Sequence, residues 1–436
     1  MKSTYKNAFL PLLTISLTFF LLLFSGCKEK EGELLEVMQD REYKFAIYNN
    51  HAELLEYHGK GTDITVPSTI KEQPVTIIFE NAFSNCSSIN TITLPACLTE
   101  IRNNAFSYCT SLTSIVIPDD VTKIAENSFF GCARLETITL PNGLKKIGDK
   151  AFSECKLLKI DALPTSLESI GELAFYNCES IESITLPDSV HTIGNNCFER
   201  CISITSFTAG LGLKSIGDEA FVICPKLTNI SLNNGLETIG NSAFSEAPIT
   251  SAVIPDTVTS LGDCFKGCHN LVSVKLPVNL KSISDNSFLD CKNLLEIEIP
   301  SSVTSIGNRA FYGCEELAAP VMPTLLETVG DEAFARCVNF DKLSFPDTLT
   351  SVGNKAFSEC INLTEISLGN SLQKIGDEAF KGCLKIWYIT LPSTISEVGN
   401  GAFKSCTLLR IVTVHRPKDF FDTSTWGVGF SVKWDK

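Results

Sequence analysis

Basic residues and histidines are scarce in this chain of 436 residues. Lysine and arginine number 36 against 50 aspartates and glutamates, which leaves a formal net charge of −14. Phosphate recognition needs clustered lysine and arginine, so this balance argues against a nucleic-acid partner. No carboxylate pair, nucleophile elbow or phosphate-binding loop stands apart from the rest of the sequence, so we expect neither an enzyme nor a bound cofactor. The five histidines are scattered and have no metal-ligand spacing: His51, His58, His191, His269 and His415.

The first residues have the order of a secretion signal. Two lysines precede an apolar run at 8–24, whose seventeen residues lie at the short limit for a membrane-spanning helix, the alternative interpretation. The FSGC that ends at Cys27 resembles the bacterial lipobox, although the first residue of that motif is usually leucine. The resemblance implies that residues 1–26 are removed as a signal peptide and that Cys27 is acylated, which gives a stable anchor. Residues 27–40 are then expected to form a tether, with a signal for surface display as the alternative.

Phenylalanine recurs with a fixed period. Fifteen copies lie in the phrase that reads GDKAFSEC at 148–155 and GDEAFKGC at 376–383, and thirteen of the fourteen intervals are 23 residues. The remaining interval is 21 residues. So strict a period is typical of a stacked repeat protein. The repeated residues are Phe83, Phe106, Phe129, Phe152, Phe175, Phe198, Phe221, Phe244, Phe265, Phe288, Phe311, Phe334, Phe357, Phe380 and Phe403.

Each repeat predicts one coil of a solenoid. Ile92 and Leu94 alternate with polar residues and predict a short strand that ends at Pro95. The Ala-Phe-x-x-Cys segment, which follows a glycine and a capping Asp or Asn, is expected to form one short helical turn. The sequence therefore predicts an α/β-type repeat solenoid with about fifteen coils of 23 residues. We expect a parallel sheet of short strands, a buried column of stacked phenylalanines and an arc about 70 Å long.

The consensus of the repeats is L-x-x-I-x-L-P-x-x-L-x-x-I-G-x-x-A-F-x-x-C. It resembles the repeat of the BspA-like leucine-rich repeat proteins over about residues 61–414. The resemblance implies a surface protein, and several members of that family are implicated in adhesion. We expect an N-terminal cap with a first, imperfect coil at 41–80, leucine-rich repeats at 81–414 and a C-terminal cap at 415–436. Aromatic residues of the last segment are expected to cover the final coil, with a binding patch as the alternative.

The cysteines follow the same period. Fourteen of the eighteen lie three residues after a repeat phenylalanine, and Ala247 takes that place in one repeat. We therefore expect small, buried side chains with free thiols. The alternative is a disulfide ladder, since stacked neighbours about 5 Å apart fall within disulfide reach. Two Cys-x-x-x-Cys pairs, at 197/201 and 264/268, lack the further ligands that a tetrahedral zinc site needs.

The repeat pattern is broken in three places. The interval from Phe244 to Phe265 lacks two residues, so we expect a kink or changed curvature there. Asp161 and Pro320 occupy the places of inward strand residues, which predicts bulges in both repeats. A buried Asp161 would need a polar partner.

The outward strand positions differ along the chain. Serine and threonine fill them in the first half, whereas the last repeats carry charges and two adjacent aromatic residues. Exposed aromatic residues on a rigid sheet are typical interface anchors, so Trp387, Tyr388, Thr390 and Arg410 are the candidate ligand-binding residues. Packing of the two aromatic residues under the C-terminal segment is the alternative.

The predicted function is that of a non-enzymatic adhesion lipoprotein. It would be anchored in the bacterial outer membrane, displayed on the cell surface, and would present its sheet to an extracellular or host protein. A surface lipoprotein that captures glycans is the alternative.

Overall fold

The computed structural model describes residues 32–418 and 420–434, and within this part each repeat forms one coil of a parallel β-solenoid. The predicted signal peptide at 1–26 and the predicted lipid-attachment residue Cys27 lie outside the described residues. Each regular coil has a short strand on one side, which we call the front, and a two-residue strand on the other side, which we call the rear. A turn that contains the repeat phenylalanine joins the rear strand to the next front strand.

The front strands pair in parallel with their counterparts one repeat away. Ser183, Ile184 and Thr185 oppose Ser206, Phe207 and Thr208, so like positions lie over one another. The middle residue is buried and its neighbours face outward, as the alternating pattern predicts. The front strands are Asp63–Thr65, Thr91–Thr93, Ser114–Val116, Thr137–Thr139, Ser183–Thr185, Ser206–Thr208, Asn229–Ser231, Ser251–Val253, Ser273–Lys275, Glu296–Ile297, Lys342–Ser344, Glu365–Ser367, Tyr388–Leu391, Ile411–Val414 and Ser431–Trp434.

The rear strands form two parallel ladders of six strands, one over 123–239 and one over 282–398. A single Ile or Val in each strand faces the core, where it is buried in every strand except the last, whose Val398 is half-buried; a polar residue faces solvent. The rear strands are Glu100–Ile101, Lys123–Ile124, Lys146–Ile147, Ser169–Ile170, Thr192–Ile193, Ser215–Ile216, Thr238–Ile239, Ser282–Ile283, Ser305–Ile306, Thr328–Val329, Ser351–Val352, Lys374–Ile375 and Glu397–Val398.

The predicted column of phenylalanines is confirmed. All fifteen rings are at most 1% exposed. Neighbouring rings are stacked, with centroids 5.0–6.0 Å apart and planes within 16° of parallel. Tyr57 continues the column at the N-terminal end, 5.4 Å from Phe83. At the other end Trp426 meets Phe403 edge-on and is almost completely buried, so this aromatic residue covers the last coil.

The predicted helical turn is wrong: the Ala-Phe-x-x-Cys segments form turns, and the only helix among the described residues is a 3-10 turn at Thr423–Thr425. Two residues of each regular turn have left-handed backbone, for example Lys150 with φ 54° and Glu154 with φ 65°. The N–H of Phe152 donates to the carbonyl of Ala174 in the next coil at 2.8 Å. Bonds between coils therefore replace the bonds along the chain that a helix would need.

The fourteen cysteines that lie three residues after a repeat phenylalanine are free. All of them are buried except Cys86, which is half-buried. Each buried thiol donates to the carbonyl of a phenylalanine in the preceding coil, as Cys109 does to Phe83 at 3.1 Å. Burial raises the pKa of the Cys224 thiol to about 12 and that of Cys406 to about 11. The free-thiol interpretation fits this geometry, because the preceding coil supplies each sulfur with an acceptor.

Cys97 does not follow the period of the other cysteines, and it belongs to a second column of side chains that donate hydrogen bonds to the preceding coil. In several coils a serine or threonine two residues after the proline position donates to two carbonyls of the preceding coil; Ser189 bonds the carbonyls of Thr165 and Leu167 at 2.8 and 2.6 Å. Cys97 lies at the equivalent position and places its sulfur 3.5 and 3.7 Å from two carbonyl oxygens. Its thiol thus takes the place of a hydroxyl.

The N-terminal cap is a mixed sheet that continues into the solenoid: its strands pair antiparallel except for Ala52–Tyr57 and Gln73–Ile78, which are parallel. Its strands are Leu34–Gln39, Tyr43–Tyr48, Ala52–Tyr57, Thr69–Ile70 and Gln73–Ile78. Leu34–Gln39 lies within the predicted tether, which therefore includes an ordered strand. Gln73–Ile78 pairs in parallel with the first rear strand and joins the cap to the coils.

The front sheet is interrupted at both predicted bulges, since no strand forms at 159–162 or at 318–321. Asp161 is exposed at this interruption, so the condition under which it would need a polar partner is not met. The short interval interrupts the rear ladder, and the front strands Asn229–Ser231 and Ser251–Val253 beside it also belong to separate sheets. There the Asp263 carboxylate accepts the N–H of Ser242 at 2.6 Å, in place of a backbone carbonyl. A changed curvature at this point stays a prediction.

Candidate binding surface

The two predicted aromatic residues are exposed on the front of the last coils. Trp387 is 55% and Tyr388 39% exposed, and their rings meet edge to face with centroids 4.7 Å apart. Ile386 and Ile389 on either side are buried in the core, which fixes the backbone beneath the two rings. The alternative interpretation, in which the C-terminal segment covers them, is wrong.

The other two predicted residues lie on the same surface. Arg410 is one coil further along, and its backbone N–H donates to the carbonyl of Trp387 at 3.0 Å. Its guanidinium donates to the carbonyls of Thr407 and Leu409 at 3.1 and 3.3 Å, so the side chain is held against its own coil. Thr390 is exposed and opposes Thr413 in the next strand. The structure thus brings all four candidates together.

Sequence reasoning missed three apolar residues at the corner where the turn enters the front strand. Ile361, Leu384 and Leu408 lie in three successive coils and are 38%, 39% and 50% exposed. The N–H of Leu408 donates to the carbonyl of Leu384 at 3.2 Å, so the corner is continuous. The sequence could have identified these three residues, because the equivalent positions of other repeats hold mainly polar residues. Together we call the five exposed side chains the apolar patch: Ile361, Leu384, Trp387, Tyr388 and Leu408.

A polar hollow of about 540 Å³ lies at the other end of the molecule, beside the N-terminal cap, and Glu100 and Arg102 are among its lining residues. The Arg102 guanidinium is 3.3 Å from the nearly buried Glu53 and 3.2 Å from Glu100, and it lies over the ring of Phe79. Burial, and after it the charge of Arg102, lowers the pKa of His51, which is 3.7 Å from Glu53. These charges join the cap to the first coils, so the hollow has a structural role.

Among the residues that the structure describes, no helix has the length and apolar character to cross a membrane. Within the same residues, no three His, Cys, Asp or Glu side chains are placed to hold a metal ion.

The fold and the exposed front sheet define a leucine-rich repeat solenoid, a class of protein that generally serves as a binding scaffold without catalytic activity. The family model described as "BspA type Leucine rich repeat region (6 copies)" matches residues 56–163, 161–264, 248–340 and 327–422. The chain belongs to this family, and the resemblance inferred from the consensus is confirmed. No curated protein matches the chain.

Two solved structures are similar to this chain. A leucine-rich repeat protein from Bacteroides ovatus is 28% identical with a TM-score of 0.72, over 92% of this chain and 100% of that protein. A leucine-rich cell surface protein from Faecalibacterium prausnitzii is 22% identical with a TM-score of 0.41, over 92% of this chain and 95% of that protein. The first of these supports the solenoid independently of the family model.

Proposed function

We propose that this protein is a non-enzymatic binding protein of the cell surface, which holds a protein partner on the apolar patch. The observation that carries the proposal is the presence of five exposed apolar side chains in three successive coils, two of them aromatic rings in contact with each other. Isolated apolar residues on a surface are ordinary, whereas a contiguous group that includes tryptophan and tyrosine is typical of an interaction site. The core beneath the patch is packed, so little ordering is needed on binding.

The place of the protein in the cell is part of the proposal. Acylation of Cys27 would hold the N-terminal end at the bacterial outer membrane, and display on the cell surface would let the protein act in adhesion. The apolar patch lies in the last coils, at the end of the solenoid far from that anchor. A patch in this position is available to a partner on another surface, which supports adhesion to an extracellular or host protein.

Capture of a glycan is the second candidate. It is favoured by the hydroxyls of Thr390 and Thr413, which lie in register on the strand of Tyr388 and on its neighbour. An aromatic ring beside hydroxyls can stack on one face of a sugar. The apolar corner at Leu384 and Leu408 offers a sugar no hydrogen bonds, and for this reason we rank a protein partner first.

Binding to a panel of extracellular-matrix proteins and to a glycan array tests the proposal. The variant W387S/Y388S is compared with L211S, which removes an exposed leucine from the middle of the solenoid. We expect the double variant to lose binding to a matrix protein and L211S to retain it. Loss of glycan signals alone would favour the second candidate, and unchanged binding of every ligand by the double variant would refute both.

A further inference from the structure

We infer that the partner of the apolar patch is an acidic protein surface, in which carboxylates surround an apolar centre. This inference rests on the proposed function, because it names the partner of the same patch. Its basis is the distribution of charge. Residues 381–436 contain eight Lys or Arg against four Asp or Glu, a net charge of +4, whereas residues 1–380 contain 28 against 46, a net charge of −18. The patch lies at the basic end of an acidic molecule.

Part of the basic charge of the solenoid is neutralised by ion pairs between coils. Nine Lys or Arg residues each pair with the Glu that lies 23 residues further on, in the next coil, at N–O distances of 2.9–4.0 Å. This regular arrangement uses the spacing between coils to place opposite charges side by side. The pairs are Lys145–Glu168, Lys156–Glu179, Lys214–Glu237, Lys292–Glu315, Arg309–Glu332, Arg336–Glu359, Lys342–Glu365, Lys355–Glu378 and Lys374–Glu397.

Three basic residues around the patch depart from that arrangement. Lys385 follows Leu384 at the corner, Arg410 adjoins Trp387 in the next coil, and Lys433 opposes Thr413 on the last strand. All three are exposed, and none forms an ion pair with another described residue. The guanidinium of Arg410 bonds only carbonyls of its own coil, which orient the group and leave its charge uncompensated.

The neighbouring front strand, which precedes that of Tyr388, carries one acidic residue, Glu365. Its charge is already neutralised, because its carboxylate is 3.1 Å from the amine of Lys342. Lys385, Arg410 and Lys433 therefore give the rim of the patch a positive charge that no ion pair among the described residues neutralises. Charges at the rim of an interface steer the approach of an oppositely charged partner and repel a like-charged one, while the apolar centre supplies affinity.

Three synthetic peptides that share one apolar core and carry glutamate, serine or lysine flanks test the inference. Their affinity for the chain from Lys28 to Lys436 is measured by fluorescence anisotropy at low and high salt. We expect the glutamate-flanked peptide to bind about tenfold more tightly than the serine-flanked one at low salt, and the lysine-flanked peptide to bind most weakly. High salt should reduce these differences, because the rim charges are exposed.

Two triple variants with the same change in net charge separate the rim from the rest of the surface. K385E/R410E/K433E should reverse the order of the peptides. K123E/K146E/K281E alters exposed rear-side lysines that form no ion pair with a described residue, and it should keep the order. An unchanged order in the first variant, or tightest binding of the lysine-flanked peptide to the unmodified chain, would overturn the inference.

The proposed function and this inference can fail separately. If W387S/Y388S weakens all three peptides equally and flank charge has no effect, the patch binds protein and the inference of an acidic partner is wrong. Equal binding of poly-glutamate, which lacks an apolar core, would assign the site to polyanions and also overturn the inference. If the double variant binds all peptides like the unmodified chain, or if no peptide binds, both proposals are contradicted.

Discussion

The front of the first regular coils and the front of the last coils share one scaffold and differ in surface. The coils of both regions contain a buried phenylalanine, a buried thiol and a buried apolar residue on the inward side of the front strand. Outward positions in the first region hold hydroxyls, as in Ser183–Thr185 and Ser206–Thr208, whereas the last region holds Trp387, Tyr388 and unpaired basic residues. The comparison teaches that the repeat fixes the core and leaves the outward positions free to acquire a binding surface.

The largest expected effect is a loss of folding stability at high pH. It is shared by both regions, because both contain buried thiols. Unfolded thiols ionise above their ordinary pKa of 9.0, whereas burial raises the pKa of thiols such as Cys201 well above that value. The contribution of the thiols to stability is therefore fully present below about pH 9 and is lost as the pH rises further, by on the order of 1 kcal/mol per thiol and pH unit.

Denaturation by guanidinium at about pH 8 and about pH 10 measures this loss. The variant C201A, which follows the natural example of Ala247, should lose less stability between the two pH values by the share of one thiol. Equal stability at both pH values would show that the thiols are not buried as described.

The next effect is a difference in the free energy of unfolding between variants of the core and a variant of the surface. Replacement of Phe221 or Phe357 by Ala should each cost about 3–5 kcal/mol, because a fully buried ring between two stacked neighbours leaves a cavity. Replacement of the exposed Trp387 by Ala should change the free energy of unfolding by no more than about 0.5 kcal/mol. Urea denaturation of the three variants tests this difference, and a comparable cost at Trp387 would indicate that its ring supports the fold.

The third effect concerns binding and should distinguish the two fronts. Replacement of Trp387 by Ala should weaken binding of a captured matrix protein by about 2 kcal/mol, as expected for an interface anchor. Replacement of Thr208 by Ala, on an equivalent outward position of the hydroxyl-rich front, should leave the affinity unchanged. Surface plasmon resonance measures both affinities, and a larger loss at Thr208 would move the binding site to the first region.

The smallest effect is the loss of stability expected when a side-chain hydrogen bond between two coils is removed. Replacement of Ser189 by Ala removes a hydroxyl that donates to two carbonyls and should cost about 1 kcal/mol. Thr394, which makes the same bonds beneath the last coils, should behave alike when it is replaced by Ala. Thermal denaturation compares the two variants. Unequal losses would mean that the two ends of the scaffold are not equivalent.

The sequence predicted the column of phenylalanines, the front strands and the interruptions at Asp161 and Pro320, because a strict period places equivalent residues over one another. It did not predict the backbone of the turn. Lys150 and Glu154 have left-handed backbone although neither is a glycine, and bonds to the next coil, which have no local sequence signal, stabilise that conformation. Local spacing alone therefore suggested a helix.

The candidate surface was predicted in part for a similar reason. Counting seven and eight residues past the repeat phenylalanine Phe380 correctly identified Trp387 and Tyr388 as outward residues. Ile361, Leu384 and Leu408 lie at the corner before the strand, where alternation does not apply and exposure depends on the path of the turn. The apolar character of the surface could be recognised only once the coils were stacked.

The fluorescence of Trp387 tests the central claim most directly. In the variant W426F/W434F this residue is the one remaining tryptophan, and its exposed ring should emit at long wavelength and be quenched readily by acrylamide. Addition of the glutamate-flanked peptide should shift the emission to shorter wavelength and protect the ring from the quencher. A peptide that binds without changing the emission or the quenching of Trp387 would contradict the account, because its site would then lie elsewhere on the solenoid.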